Sequence, residues 1–160
     1  MTNIEIEMQN GGVIKAELYP DVAPGTVENF VKLINENFFD GLIFHRVIPG
    51  FMIQGGGYSE DGSHKDAPSI TGEFTANGFE NNLKHTRGVL SMARTMFPNS
   101  ASSQFFIMHE DAPHLDGQYA SFGKVTDGMD VVDEIAQTPT DYNDAPLEKQ
   151  VIKTTRIVSE

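Results

Sequence analysis

The feature that most limits the fold of this chain is a series of short apolar runs separated by loop-forming residues. The segments between the runs are rich in Gly, Pro, Asn, Ser and Asp. Runs this short, bounded by turn residues, are typical of β-strands, because a helix needs about ten or more residues. The middle of the chain is therefore predicted to contain strands at residues 43–48, 51–54, 89–93, 105–108 and 122–125.

The N-terminal segment predicts a β-hairpin followed by a helix. Residues 4–8 alternate between apolar and acidic side chains, as in a half-buried strand. Asn-Gly-Gly at residues 10–12 is a hairpin signal, and residues 13–18 form the return strand. Pro24 suits the first position of a helix, where a missing N–H costs nothing. The core-facing stripe of this helix is expected to contain Val27, Phe30, Val31 and Ile34.

The C-terminal segment predicts a second helix and a last strand. The helix covers residues 129–136, with Asp127 near its start. Residues 151–158 form the strand. The buried stripe of the helix is expected to contain Val131, Val132 and Ile135.

Strands dominate the chain and do not alternate with helices, which disfavours a parallel doubly wound sheet. We expect a mainly-β protein, a closed antiparallel barrel plugged at its ends by two helices. The chain has no internal repeat, linker or low-complexity segment, so residues 1–160 are predicted to form one domain.

Composition excludes several classes of function. The chain has no cysteine, which excludes disulfides, thiol catalysis and thiolate zinc sites. Its net charge of -12 disfavours binding to nucleic acid or anionic lipid, both of which require a basic surface. No apolar run approaches the roughly 18 residues of a membrane helix, and the N-terminus lacks the pattern of a secretion signal. We therefore expect a cytoplasmic protein without nucleic-acid or membrane partners.

The first candidate for a functional site is the stretch FHRVIPGFMIQGG, which begins at Phe44 and contains two strands around a Pro-Gly turn. Strand alternation places Arg46 on the face of Phe44 and Ile48, opposite His45 and Val47. Such an arginine is either a functional donor or a side chain whose stem covers apolar surface while its charge reaches water. Taken alone, the stretch leaves both interpretations open.

Three more segments complete a pattern: GVLSMAR at residues 88–94, SSQFFI at residues 102–107, and HLDG from His114, with Tyr119 and FGKV at residues 122–125. Each segment alone predicts an ordinary strand or turn. Together and in order, they resemble the cyclophilin family of peptidyl-prolyl isomerases over nearly the whole chain. The ART–P–SA–QFFI version is similar to short bacterial cytosolic members. The resemblance implies an eight-stranded antiparallel barrel capped by two helices.

The resemblance also implies roles for individual residues. Arg46 matches the family's catalytic arginine, and Gln54 matches the glutamine that orients it. Ala93 and Arg94 match the strand that pairs with the substrate backbone, and Gln104 matches a second polar contact. The walls and edge of the proline pocket are matched by Phe51, Met52, Phe106, Leu115 and Tyr119.

Three positions depart from the commonest family pattern. His114 stands where many eukaryotic members have tryptophan, Arg94 where many have asparagine, and Tyr119 where many have histidine. The tryptophan position matters for cyclosporin in the family, and losing an indole removes buried area and an N–H donor. We therefore expect weak cyclosporin binding. Arg94 is either a second positive charge that favours acidic residues before the proline, or an ordinary solvated strand residue.

Other patterns carry less weight. His109 and His114 are five positions apart with Pro113 between them, whereas a zinc-protease helix needs histidines at i and i+4. The glycines at residues 55–57 lack the downstream Gly-Lys of a phosphate loop. No metal or cofactor is expected. The histidines interpreted as structural or surface residues are His45, His64 and His85.

The sequence thus predicts a monomeric isomerase that acts on Xaa-Pro bonds in proline-containing peptides and unfolded proteins and so assists folding. Two alternatives belong to other classes. One is a non-catalytic module that holds proline-containing segments, and the other is an assembly scaffold that uses the loop at residues 58–78. Only the enzyme needs Arg46 beside the pocket, which favours catalysis.

Overall fold

The computed structural model describes residues 1–159. The chain begins with the elements β1 (Thr2–Met8), β2 (Val13–Leu18) and α1 (Pro24–Asn35). The middle of the chain contains β3 (Leu42–Ile48), β4 (Met52–Ser59), β5 (Val89–Met92), β6 (Phe105–Met108) and β7 (Ser121–Asp127). The last elements are α2 (Met129–Ala136) and β8 (Ile152–Ser159). Two short 3₁₀ turns that the sequence did not predict lie at Thr75–Asn77 and Pro113–Leu115. Neither helix in the described part of the chain has the length and apolar character needed to cross a membrane.

The eight strands of the described residues form one antiparallel sheet in the order β3-β4-β6-β5-β7-β2-β1-β8. The sheet curls until its edge strands, β3 and β8, approach each other. They meet in an isolated bridge between Ile43 and Val151 and in two flanking hydrogen bonds, not in a continuous ladder. The mainly-β barrel with two helices is confirmed, but a fully closed barrel was too strong an expectation, because this seam is only partly paired.

The barrel core confirms most of the predicted periodicity. Ile4, Ile6 and Met8 are buried in β1, and the residues between them are not. Phe30 of α1 lies near the centre, with the rings of Phe39, Phe105 and Phe122 at centroid distances of 5.0, 5.2 and 5.0 Å. Val31 is only half-buried, whereas the neighbouring Leu33 is fully packed. The apolar face of α1 is therefore rotated slightly from the predicted stripe.

The first turn of α1 is held by a distant acidic residue. The carboxylate of Glu73 accepts hydrogen bonds from the N–H groups of Gly25 and Thr26 at 3.2 and 2.6 Å, and from the Thr26 hydroxyl at 2.7 Å. These contacts satisfy N–H groups that have no partner within the helix. They also attach the segment after β4 to the barrel.

Helix α2 begins where β7 ends. Gly128 has a φ of 92°, and a side chain there would lie 2.3 Å from the carbonyl oxygen of Val13, so only glycine fits. Asp127 ends β7, and within residues 1–159 no side chain caps the helix. Val131 is half-buried. The buried residues of the helix are Val132, Ile135 and Ala136.

Candidate active site

A second apolar cluster lies on the outer face of the sheet, separate from the barrel core. Alternate residues of β4 and β6 point outward here, and Met52 pairs with Met108 and Gln54 with Phe106. Beside the cluster, the 3₁₀ turn at Pro113–Leu115 borders a cleft of about 180 Å³. The cleft is lined by Arg46, Phe51, Met52, Gln54, Ala93, Arg94, Phe106, Leu115 and Tyr119.

Arg46 reaches this cleft because β3 contains a bulge. The register between β3 and β4 shifts between Phe44 and Arg46, where two steps along β3 match one step along β4. Phe44 and Val47 are therefore both buried in the barrel, and Arg46 is exposed on the outer face. The prediction that Arg46 shares a face with Phe44 was wrong, because the extra residue, His45, reverses the alternation.

Gln54 and Gln104 form a hydrogen-bonded series that begins at Arg46. The Nη1 of Arg46 lies 3.5 Å from the Oε1 of Gln54, which is the outer limit of a hydrogen bond. The Nε2 of Gln54 donates to the Oε1 of Gln104 at 3.0 Å. A side chain at Gly57 would lie 2.5 Å from the Gln104 amide, so a larger residue there would displace the Gln104 side chain. Among the glycines at residues 55–57, Gly57 thus leaves the space that Gln104 occupies.

His85 supports the cleft wall from behind. Its ring stacks on Phe106 at a centroid distance of 6.0 Å and is buried. Its Nδ1 lies 3.0 Å from the carboxylate of Asp116, and its Nε2 lies 2.8 Å from the hydroxyl of Ser91. A carboxylate only accepts, so Nδ1–H donates to Asp116 and Nε2 accepts from Ser91. Burial lowers the pKa of His85, although Asp116 acts in the opposite direction.

Sequence reasoning placed His85 among structural or surface residues and missed its position behind the cleft. Its partners Ser91 and Asp116 are 6 and 31 positions away. No local motif joins the three residues. The one sequence feature that could have indicated this position is polarity. A histidine and a serine beside apolar strands need hydrogen-bond partners when they are buried.

Arg94 is fixed at the edge of the cleft. Its guanidinium lies 4.7 Å from the ring centroids of both Phe74 and Tyr119. Nε and Nη2 donate to the carbonyl of Gln118 at 3.1 and 2.6 Å, and Nη1 donates to the carbonyl of Thr95 at 2.9 Å. None of the carboxylates described in the structure forms an ion pair with it. Arg94 follows the end of β5 and brings an uncompensated positive charge to the cleft.

Two predicted site residues are not among those that line the cleft. His114 stacks on Phe51 with a centroid distance of 5.9 Å and an interplanar angle of 29°. Gln104 contacts Gln54 on the side away from Arg46. Both residues therefore contact the cleft through a neighbour.

Comparison with known proteins identifies the family. The family model described as cyclophilin type peptidyl-prolyl cis-trans isomerase/CLD matches residues 3–157. The chain belongs to the cyclophilin-type peptidyl-prolyl cis-trans isomerases. Isomerisation of Xaa-Pro bonds is the activity of this cyclophilin, as the resemblance predicted.

Similar proteins support the assignment along most of their length. A peptidyl-prolyl cis-trans isomerase of Acinetobacter baylyi is 48% identical over 146 residues, which cover 88% of this chain and 76% of the relative. Peptidyl-prolyl cis-trans isomerase B of Escherichia coli is 42% identical over 160 residues, with coverages of 92% and 95%. A solved cyclophilin of Cryptosporidium parvum, in the presence of the dipeptide Ala-Pro, has a TM-score of 0.84, 32% identity and 99% coverage of both chains.

Proposed function

We propose that the cleft of this cyclophilin binds Xaa-Pro segments of unfolded or flexible proteins and that Arg46 donates a hydrogen bond to the proline nitrogen during rotation. The observation that carries the proposal is the juxtaposition of Arg46 with an apolar cavity. Arg46 is exposed, and its one side-chain hydrogen bond within residues 1–159 is the long contact to Gln54. Its other donors are thus available to a substrate.

The chemistry requires only rotation about one bond. Amide resonance sets a barrier of about 18–20 kcal/mol, while the two isomers of an Xaa-Pro bond differ by only about 0.5–1 kcal/mol. The enzyme must therefore bind the twisted state more tightly than either end state. When the bond twists, the proline nitrogen regains its lone pair and can accept a hydrogen bond. Arg46 is permanently charged and offers fixed donors, and no base, metal or cofactor is needed.

The magnitude of this contact limits the role of Arg46. A charge-assisted hydrogen bond contributes roughly 1.5–3 kcal/mol, which corresponds to about ten- to two-hundred-fold in rate. The remaining acceleration is assigned to the pocket and to fixation of the preceding residues by Ala93 and Arg94, and Gln104 contributes by holding Gln54. The proline ring is held by Phe51, Met52, Phe106 and Leu115.

Replacement of Arg46 tests the proposal. In Arg46→Ala, we expect kcat/KM for acetyl-Ala-Ala-Pro-Ala-amide to fall by about ten- to two-hundred-fold, because the donor is lost and the apolar pocket remains. Exchange NMR measures the isomerisation rate directly, and circular dichroism confirms the fold. Arg156→Ala, which removes an arginine from β8, is the matched control. Near-normal activity in Arg46→Ala would show that Arg46 does not have this role.

The same assay separates the other functional classes. Uncatalysed prolyl isomerisation takes tens of seconds, so wild-type protein that leaves this rate unchanged would leave only a binding module or a scaffold. The loop at residues 58–78, which the scaffold would use, is held to the barrel by Glu73 and by Lys65, whose Nζ donates to the carbonyl of Phe38 at 2.8 Å. We also propose that the protein assists folding, is monomeric and is located in the cytoplasm.

Cyclosporin affinity tests the role assigned to position 114. We expect weak binding, because the imidazole of His114 is smaller than an indole and stacks on Phe51. Isothermal titration with wild-type protein measures the affinity, and His114→Trp should bind more tightly. Sub-nanomolar affinity of the wild-type protein would contradict the prediction.

A further inference from the structure

Two large apolar side chains beside the cleft are exposed to solvent. Met96 is 85% exposed and Phe97 is 69% exposed, and together they are called the Met96–Phe97 pair. They follow Arg94 in the loop between β5 and β6. Nothing in the barrel or in the proposed rotation chemistry uses them, and adjacent exposed apolar residues are a feature of binding surfaces.

The loop that carries the pair is ordered by its own polar groups. The hydroxyl of Ser100 accepts the N–H of Thr95 at 2.9 Å and donates to the carbonyl of Phe97 at 2.7 Å. The N–H of Phe97 in turn donates to the hydroxyl of Thr95 at 3.2 Å. The side chain of Asn99 accepts the N–H of Gly72 at 3.0 Å, which ties the loop to the segment after β4. The pair is therefore presented by a fixed backbone, and little ordering entropy is lost on binding.

The loop is also fixed relative to the cleft. Arg94 lines the cleft, and its Nη1 donates to the carbonyl of Thr95 at 2.9 Å. Phe97 is three positions from Arg94, so their Cα atoms are at most about 11 Å apart. An extended chain advances about 3.3 Å per residue. A few residues of a client that leaves the cleft past Arg94 are enough to reach the pair.

We propose that the Met96–Phe97 pair is a second binding site for the client whose proline occupies the cleft, and that it takes an apolar side chain about three to six residues from the proline. The inference rests on the proposed function of the cleft. Unfolded segments expose the apolar side chains that folded proteins bury, so they are the clients that such a pair selects. The site distinguishes unfolded proteins from short proline peptides.

A second copy of this chain fits the pair less well than a client does. Each copy carries a net charge of -12, so two copies repel each other. A stable interface also needs about 800 Å² from each partner, far more than two side chains provide. An extended client needs only a small contact here, because the cleft already holds it nearby.

Peptides of defined length test the proposal. The probes are acetylated peptides with one Ala-Pro bond in an Ala-Ser background, in which a single Leu is moved from two to eight residues away on either side of the proline. Exchange NMR measures kcat/KM for wild-type protein and for the double variant Met96→Ser, Phe97→Ser. We expect one side and a narrow range of spacings to raise kcat/KM about tenfold in wild-type protein, and the double variant to lose this gain. Both proteins should act equally on acetyl-Ala-Ala-Pro-Ala-amide.

A matched variant and a second measurement keep the outcomes distinct. Tyr142→Ser removes another exposed aromatic residue, 96% exposed and in the loop between α2 and β8, and should retain the gain. Equal dependence on the Leu position in wild-type protein and the double variant would overturn the inference. So would a dimer in sedimentation velocity that the double variant abolishes. Failure of wild-type protein on the tetrapeptide would instead reject the proposed function.

Discussion

At the scale of single residues, His45 forms the bulge in β3 and buries a ring nitrogen that lacks a hydrogen-bond partner in the described structure. It is the extra residue of the bulge in β3, and its ring lies 4.7 Å from the ring of Tyr58 beside a cavity of about 210 Å³. Its Nδ1 is buried with no hydrogen-bond partner in the described structure. Burial, with smaller effects from Arg46 and His64, lowers the pKa of His45 to about 4. The position therefore strongly favours the neutral imidazole.

This pKa predicts a dependence of stability on pH. The unfolded chain binds a proton at the ordinary pKa of about 6.5, so the folded state loses stability as the pH falls from that value towards about 4. His45→Phe removes this titration and the unpartnered nitrogen, so its free energy of unfolding should fall less between about pH 7.5 and about pH 5. Urea unfolding at the two pH values measures the difference. An identical decrease in both proteins would contradict the assignment, because His85, whose pKa is also lowered, is unchanged in the variant.

At the scale of elements, α2 is connected to the cleft by a polar chain. Asp133 of α2 accepts two hydrogen bonds from Arg87 at 2.8 and 2.7 Å, and the Nε2 of His109 lies 3.1 Å away. The Nδ1 of His109 accepts the N–H of Gly50 at 2.8 Å, and its backbone N–H donates to the carbonyl of Phe51 at 2.9 Å. His109 therefore helps to hold the turn that presents Phe51 to the cleft. These contacts involve no metal ligand geometry and are unrelated to the zinc-protease motif that the spacing of His109 and His114 superficially suggests.

Removal of the carboxylate should loosen α2. We expect Asp133→Ala to lower the free energy of unfolding by about 1–2 kcal/mol, because Arg87 and His109 lose a shared partner at a half-buried site. Chemical denaturation measures this value. Glu134→Ala changes the next residue, which is exposed and forms no ion pair in the described chain, and should have little effect. A loss of equal size in both variants would show that the polar chain does not determine the result, because Ala has a higher helix propensity than either acidic residue.

At the scale of the whole molecule, the barrel is only partly paired at the seam between β3 and β8. The seam between β3 and β8 includes the hydrogen bonds of the Gly41 and Phe44 amides, at 2.8 and 3.0 Å, whereas β6 has a paired strand on each side. We expect these two amides to exchange with solvent faster than those of β6, because opening the seam breaks few contacts. Hydrogen exchange followed by NMR measures this. Equal protection at the seam and in β6 would show that the barrel opens only as a unit.

The parts of the fold that the sequence predicts are those with a local cause. Alternation in β1 and the helical stripe around Phe30 follow from neighbouring residues, and so do the boundaries of α2. The extension of β4 to Ser59 was missed because its glycines weaken a strand prediction. They are required by neighbours distant in sequence, since a side chain at Gly55 would lie 2.7 Å from the carbonyl oxygen of Ile43.

The candidate site follows the same division. Nine residues assigned by family resemblance line one cleft, and Gln104 and His114 contact the lining residues Gln54 and Phe51. The supports of the site were not predictable, because Glu73 and His85 find their partners across long separations in the chain. Burial of a polar group shows that it needs a partner but does not name the partner.

The bulge at His45 has a consequence for how β3 tolerates change. Deletion of His45 would make Phe44 and Arg46 direct neighbours, which lie on opposite faces of a regular strand. A substitution that keeps the bulge also leaves both flanking side chains on their present faces. The outward direction of Arg46 therefore depends on the local backbone geometry and not on the identity of the residue at position 45. Replacements of His45 that preserve the bulge should accordingly be frequent among functional variants.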